Sequence, residues 1–272
     1  MIVTIQDDFD LAKIAASGQA FRIARQEDTW RFVSGDRVLR IRQLTPDRYE
    51  TDCTPQDWQT FWHRYFDLDR RYADVRSAIP KTDAYLRKAA QAGQGIRILR
   101  QDPWEMLITF IISQRKNIPA ICRCVETLCT RFGTPLPAGA GETLCAFPTP
   151  QQLDGAAPEA WEGCALGYRE AYVRAAARAV AQGTLDLAAL DALSDTALVE
   201  RLMQLYGVGI KVANCVALFG YGRLECAPVD VWIRRVIDRY YDGVNPFPRY
   251  GNAGILQQYL FYEARREEHP SR

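Results

Sequence analysis

One lysine beside a pair of glycines, with an aspartate following nineteen residues later, is where this 272-residue chain could do covalent chemistry. Lys211 follows the run Gly207-Val208-Gly209-Ile210. Upstream, Ser194 can cap a helix, Leu193 and Leu198 stand at the two ends of a hydrophobic staple, and Leu198, Leu202 and Leu205 form one apolar stripe. Downstream, Val212, Cys215, Val216 and Phe219 recur at helical spacing. The unit therefore reads as two helices, within 195–220, joined by a very tight hairpin. Glycine at 207 and 209 lets the backbone turn sharply. It also leaves amide N–H groups bare at the start of the next helix, which suits a phosphate, with the DNA backbone as its natural source. An ordinary αα-hairpin whose glycines serve packing has the same pattern.

Lys211 falls on the first turn of the second helix, where an ammonium opposes the helix dipole and gains little structurally. A neutral amine is what attack at a sugar carbon or Schiff-base formation needs. A solvated lysine touching a phosphate fits the position equally. Asp230, in Ala227-Pro228-Val229-Asp230, is placed to cap a helix whose apolar face holds Ile233, Val236, Ile237 and Tyr240. A carboxylate fixed there can also orient or deprotonate an amine and stabilise an oxocarbenium-like sugar.

The elements that must position these groups follow two patterns. From about Gln19 to Thr51, short aromatic and β-branched runs (Phe21–Ile23, Thr29–Val33, Val38–Ile41, Tyr49–Thr51) alternate with turn signals such as Ser34-Gly35-Asp36, which reads as an antiparallel sheet. After Thr54-Pro55 helical periods dominate, with helices expected near 55–65, 70–77, 82–92, 103–114, 117–132, 168–182, 195–205, 210–220, 230–241 and 252–267. Gly133 to Gly141, with Pro135 and Pro137, reads as an exposed connector. The fold class expected is α+β, a small N-terminal antiparallel β-sheet lobe packed on a mostly α-helical body, with residues 1–100 as the β-rich lobe and its following helices and 101–272 as the helical body.

A net charge of +1 gives no global field for nucleic acid, so any such face is local. Between Ile96 and Cys124, five cationic side chains oppose two acidic ones, a modest footprint. The eight cysteines form no C-x-x-C pair and only His63 and His269 are available, so the spacing supports no zinc site. They read as free thiols in a reducing compartment. No run approaches the roughly 20 apolar residues of a membrane span.

The string L-Y-G-V-G-I-K-V-A-N-C, then P-V-D-V, resembles the helix–hairpin–helix superfamily of DNA glycosylases, in particular its 8-oxoguanine DNA glycosylase/AP lyases. Ser17-Gly18-Gln19-Ala20-Phe21-Arg22, Asp102-Pro103-Trp104-Glu105, Phe110-Ile111-Ile112-Ser113, Gly167-Tyr168-Arg169 and Gly254 through Arg265 agree in the same order. The resemblance implies that Lys211 attacks the anomeric carbon, displaces the base and holds the sugar as a Schiff base from which β-elimination nicks the strand, with Asp230 assisting. It implies that the Gly18 carbonyl accepts the N7 hydrogen that oxidised guanine has and guanine lacks. Cys215 and Phe261 would sandwich the extruded base and Gln257 read its Watson–Crick edge. It further implies a bacterial enzyme of the cytoplasm and nucleoid, acting as a monomer on double-stranded DNA containing oxidised guanine, without membrane association. No cofactor is implied beyond a structural cation at the hairpin. Because no cysteine follows Cys226, the C-terminal iron–sulfur cluster of other branches is excluded.

The chain departs from the family between Gln114 and Ala120. Arg115 stands where eukaryotic-type members have a gap-filling Asn, and Ala120 where they have an Arg reading the opposite cytosine. Arg115 and Lys116 would fill the gap or grip phosphates, Tyr168 and Arg169 match the strand-opening pair, and Trp232 replaces a phosphate-contacting His. The alternatives are another glycosylase of the superfamily, for alkylated or other oxidised bases, and a non-catalytic hairpin protein in which Lys211 and Asp230 are a phosphate contact and a cap.

Overall fold

The computed structural model describes residues 1–137 and 142–268. Five strands, β1 (Ile2–Thr4), β2 (Ile23–Gln26), β3 (Thr29–Ser34), β4 (Arg37–Gln43) and β5 (Arg48–Thr51), form an antiparallel sheet in the order β1-β5-β4-β3-β2. Alternation explains its placement: Leu39 and Ile41 of β4 are buried while Arg40 and Arg42 lie on the other face and pair with acidic side chains. The buried face packs on Trp58, Trp62, Tyr65 and Phe66. These come from a helical stretch at 55–65, made of α2 (Pro55–Asp57), a π-helical turn at Trp58–Trp62 and α3 (His63–Tyr65), which Thr54 caps as expected.

The remaining helices are α1 (Leu11–Ala16), α4 (Tyr72–Ser77), α5 (Ala84–Ala92), α6 (Pro103–Ser113), α7 (Ile118–Phe132), α8 (Pro150–Asp154), α9 (Arg169–Ala181), α10 (Asp195–Met203), α11 (Ile210–Tyr221), α12 (Val231–Tyr240) and α13 (Ala253–Glu268). Most ends fall within two residues of expectation because local caps set them. Asp102, Asn117 and Ser194 each accept from the backbone N–H three residues on. Helix α6 is buried from Trp104 to Ile112, so it is the central element of the body, with Phe110 stacked on Phe219 of α11.

Three expectations are corrected. Strand β1 and helices α1 and α8 carry too short a pattern to show in sequence. Strand β2 starts at Ile23, because Phe21 turns into the helical core, edge-on to Phe110. The proline-rich connector is not all loop: Pro135–Leu136 (β6) pairs with Leu144–Cys145 (β7), while residues 138–141, like His269, lie outside the described residues. The first hundred residues also serve both bodies, since Ile79, Leu86, Ile96 and Ile98 belong to the helical core and Val3 to Trp62 line the sheet core.

Two buried charges join sheet lobe and body. Arg97 is fully buried and donates to the carbonyls of Asp8, Phe66, Asp67 and Arg70. Glu105 of α6 accepts from the Gly35 N–H in the β3–β4 turn at 2.8 Å. Burial pushes the Glu105 carboxyl up to about 7, opposed by Arg22 and by the Gly35 N–H. A carboxyl raised in the folded state contributes stability that is complete below its ordinary value of 4.5 and is lost as pH rises through about 7. Urea unfolding across that interval should therefore show Glu105→Gln losing less stability with rising pH than wild type; parallel curves would contradict the assignment.

Candidate active site

Helix α10 ends at Met203, and the chain reverses through Gly207 to Gly209, which precedes α11. Gly207 takes a left-handed φ of +81°, and a Cβ there would run into the Tyr172 ring packed flat on the hairpin. Gly209 is different. It precedes α11 with extended backbone and open space where a Cβ would stand, next to the N–H groups that an α-helix cannot satisfy internally.

Lys211, one residue into α11, has its Nζ 3.5 Å from Ser113 Oγ at the end of α6 and 5.2 Å from the Phe110 ring centre. Asp230 caps α12, its Oδ1 accepting from Trp232 N at 3.0 Å and Ile233 N at 2.9 Å. Burial raises the Asp230 carboxyl above its usual range, while the Ile233 N–H and the charge of Lys211 hold it back. Cys215 is buried one turn beyond Lys211. Desolvation pushes its thiol up to about 11 against the pull of Lys211, so it remains a neutral, polarisable wall.

These groups face one cavity of about 570 Å³, lined also by Gly18, Gln257, Phe261, Arg115, Lys116 and Trp232. Its volume is ample for an extruded nucleotide. Gly18 has φ +75°, and a Cβ would stand 3.0 Å from Phe261, so the close approach of turn and ring requires glycine. Gln19, fully buried, fixes that turn: its Nε2 donates to Ser17 Oγ and Arg97 O, and its Oε1 accepts from Leu99 N. Gln257 on α13 is buried and its Oε1 accepts from Gln258 Nε2 at 3.0 Å.

The other expected contact residues divide. Arg115 sits in a left-handed conformation, φ +52°, a strained position for a non-glycine residue at the cavity edge. Lys116 Nζ donates to Ala165 O at 2.9 Å. Tyr168 is half exposed. Arg169 corrects the expectation of a DNA-facing side chain. It is 7% exposed and is spent internally, on Gln114 O at 2.7 Å and Leu166 O at 3.2 Å. It braces the segment carrying Arg115, and Gln114 in turn donates to Gly207 O at 3.0 Å, linking that segment to the hairpin. At the hairpin itself, the Gly207 and Leu205 carbonyls accept hydrogen bonds from Gln114 Nε2 and the Val208 N–H.

Sequence reasoning passed over Gln258 and Arg265, which line the same cavity. Arg265 lies 5.4 Å over the Phe261 ring and donates to Ala16 O at 2.9 Å, tying the ring to the turn before Gly18. Its i, i+4, i+8 spacing with Phe261 and Gln257 was the available signal.

The two hairpin glycines should separate in a denaturation experiment. Gly207→Ala should lower stability by about 1–3 kcal/mol, through strain and collision with Tyr172. Gly209→Ala, at an N-cap with negative φ, should stay within about 0.5 kcal/mol, because the lost N-cap preference is offset by the lower chain entropy of the unfolded alanine variant. Equal losses would show that the Tyr172 contact is not what demands glycine at 207.

Comparison with known proteins agrees with this architecture. Residues 1–107 match the 8-oxoguanine DNA glycosylase N-terminal domain, and residues 108–247 match the HhH-GPD superfamily of base excision DNA repair proteins. The chain is 36% identical over 207 residues to the N-glycosylase/DNA lyase of Saccharomyces cerevisiae, which covers 70% of this chain and 54% of the yeast protein, little more than half its length. Among solved structures it is similar to MBOgg1 in complex with a low-affinity DNA ligand, with a TM-score of 0.92 and 36% identity over 98% of this chain and 96% of that one. It is also similar to Clostridium acetobutylicum 8-oxoguanine glycosylase/lyase in complex with double-stranded DNA containing cytosine opposite 8-oxoguanine, with a TM-score of 0.90 and 31% identity over 98% of each chain. The chain thus belongs to the HhH-GPD superfamily of base excision DNA repair proteins, with the N-terminal domain of the 8-oxoguanine DNA glycosylases.

Proposed function

We propose that this chain is a bifunctional DNA glycosylase/AP lyase that excises oxidised guanine from duplex DNA. The observation that carries the reading is convergence: Gly18, Lys211, Cys215, Asp230, Gln257 and Phe261, from separate parts of the chain, all line one cavity. The names of the relatives, N-glycosylase/DNA lyase and 8-oxoguanine glycosylase/lyase, support the same chemistry. A binding-only hairpin protein has no use for a thiol, an aromatic ring and an amide lining one cavity beside a lysine and a carboxylate.

In this reading the damaged nucleotide leaves the duplex and its base enters between Cys215 and Phe261, with Gln257 on its Watson–Crick edge and its N7–H donating to the Gly18 carbonyl. Once its ammonium proton has passed to solvent, the Lys211 amine forms a bond to C1′ as the N-glycosidic bond breaks and its electron pair leaves with the base. Asp230, as carboxylate, stabilises the positive charge at the sugar and orients the amine. Transfer of one amine proton to O4′ as the C1′–O4′ bond breaks opens the sugar to a protonated Schiff base. Removal of a C2′ proton then expels the 3′ phosphate, which nicks the strand.

The hairpin at Gly207 and Gly209 takes a strand phosphate on its bare amides. Arg115 and Lys116 enter the vacated stack or grip phosphates, while Tyr168 and Trp232 contact the strand near the cavity. Ala120 carries no donor for an opposite base. Protein side chains suffice for each step, so the reading includes no cofactor and routes nothing through a hairpin cation. Every group comes from one chain, so a single copy is sufficient. Eight free cysteines and a chromosomal substrate fit a bacterial cytoplasm and nucleoid. Among the described residues no helix is long and apolar enough to cross a membrane.

Single-turnover cleavage of an 8-oxoguanine duplex tests the assignment. Lys211→Gln should lose excision by about 1,000-fold and Asp230→Asn by about 100-fold, while duplex affinity changes by less than about 3-fold. A Lys211→Gln enzyme excising at the wild-type rate would remove the nucleophile from the mechanism.

A further inference from the structure

The cavity holds one polar side chain that the mechanism above leaves without a task. Gln258 is 4% exposed and lines the base cavity beside Gln257. Its Nε2 donates to Gln257 Oε1 at 3.0 Å, and its own Oε1 is buried without a hydrogen-bond partner. Successive residues on a helix point about 100° apart, so two neighbours reach one cavity only where the helix runs alongside it. Helix α13 does so, buried continuously from Ala253 to Leu260.

A leucine or methionine would fill this place without leaving an acceptor unpaired, and a buried carbonyl oxygen lacking a donor destabilises the unliganded protein. The defect has a chemical counterpart in the ligand. A guanine-type base offers two kinds of N–H donor on its Watson–Crick edge, N1–H and the exocyclic 2-amino group, beside the O6 acceptor. Gln257 alone cannot serve them all: with one lone pair of its Oε1 taken by Gln258 it can accept from one further donor, and its Nε2 only donates. The pair divides the work: Gln257 offers its NH₂ and one lone pair, and the Gln258 oxygen is a second acceptor.

We propose that Gln258 is a second base-reading residue, whose amide oxygen accepts a hydrogen bond from the 2-amino group of the extruded purine. The inference rests on the reading of this cavity as an oxidised-guanine site and adds to it a requirement for the 2-amino group. The oxygen is sealed in the free enzyme, so a turn of the Gln258 side chain brings it to the base; binding then satisfies an acceptor otherwise unpaired, and selectivity for a base carrying that donor follows.

The test compares single-turnover excision of 8-oxoguanine with that of 8-oxohypoxanthine, the same base without the 2-amino group, in one duplex context, by wild type and by Gln258→Leu. Differences in how readily each base leaves the duplex are common to both enzymes and cancel in the ratio of ratios. Wild type should prefer 8-oxoguanine by about 10-fold or more beyond the preference of Gln258→Leu. Strand cleavage at a preformed abasic site, which needs no base contact, should change by less than about 2-fold in the variant. If that abasic-site control fails, Gln258→Met, closer in shape, repeats the comparison. An unchanged preference in a variant that passes the abasic-site control overturns the role of Gln258 alone. A wild-type enzyme that excises neither base overturns the substrate reading, and this assignment with it.

Discussion

Withdrawing Asp230 partly from water beside Lys211 sets the terms for everything around it. A carboxylate removed from water becomes harder to ionise, and the raised Asp230 carboxyl reflects that cost. Two N–H groups at the start of α12 and the charge of Lys211 offset it, so the aspartate holds its position only while α11 and α12 keep their relative placement. The hairpin fixes one of these helices and the cap the other. The same desolvation keeps Cys215 a thiol and makes any positive charge developing nearby more sensitive to Asp230 than it would be in water.

Around that pair, each wall of the cavity is anchored to a different part of the fold. Gln19 locks the Gly18 turn onto the strand-like segment at Arg97 and Leu99, and Arg265 ties the same turn to Phe261. Helix α6 brings Phe110 and Ser113 against Lys211. The segment after it is held by Arg169 and Gln114, the latter reaching the hairpin carbonyl of Gly207. A site assembled this way is positioned by packed helices rather than by loops, which is what placing reacting atoms requires.

Much of this was legible in sequence where the physics is local. Helix starts at Thr54, Asp102, Asn117 and Ser194 follow from side chains that bond their own backbone three residues on. The hairpin follows from two glycines between amphipathic runs. What was not legible depends on distant partners. Strand β1 exists because β5 pairs with it, and Phe21 leaves its strand because Phe110 waits in the body. Arg169 looked like a DNA contact because its type and neighbours allow that; only the carbonyls of Gln114 and Leu166 show where its charge is used. Gln258 was invisible for a related reason, since a glutamine beside a glutamine on a helix carries no period of its own.

In the proposed mechanism Lys211 Nζ is the atom that joins the sugar. Borohydride reduction during turnover on an 8-oxoguanine duplex, followed by proteolysis and mass spectrometry of the trapped complex, reads that atom directly. The reduced sugar is expected on the peptide containing Lys211. An adduct on Lys116, on the Met1 amine or on any other lysine would contradict it.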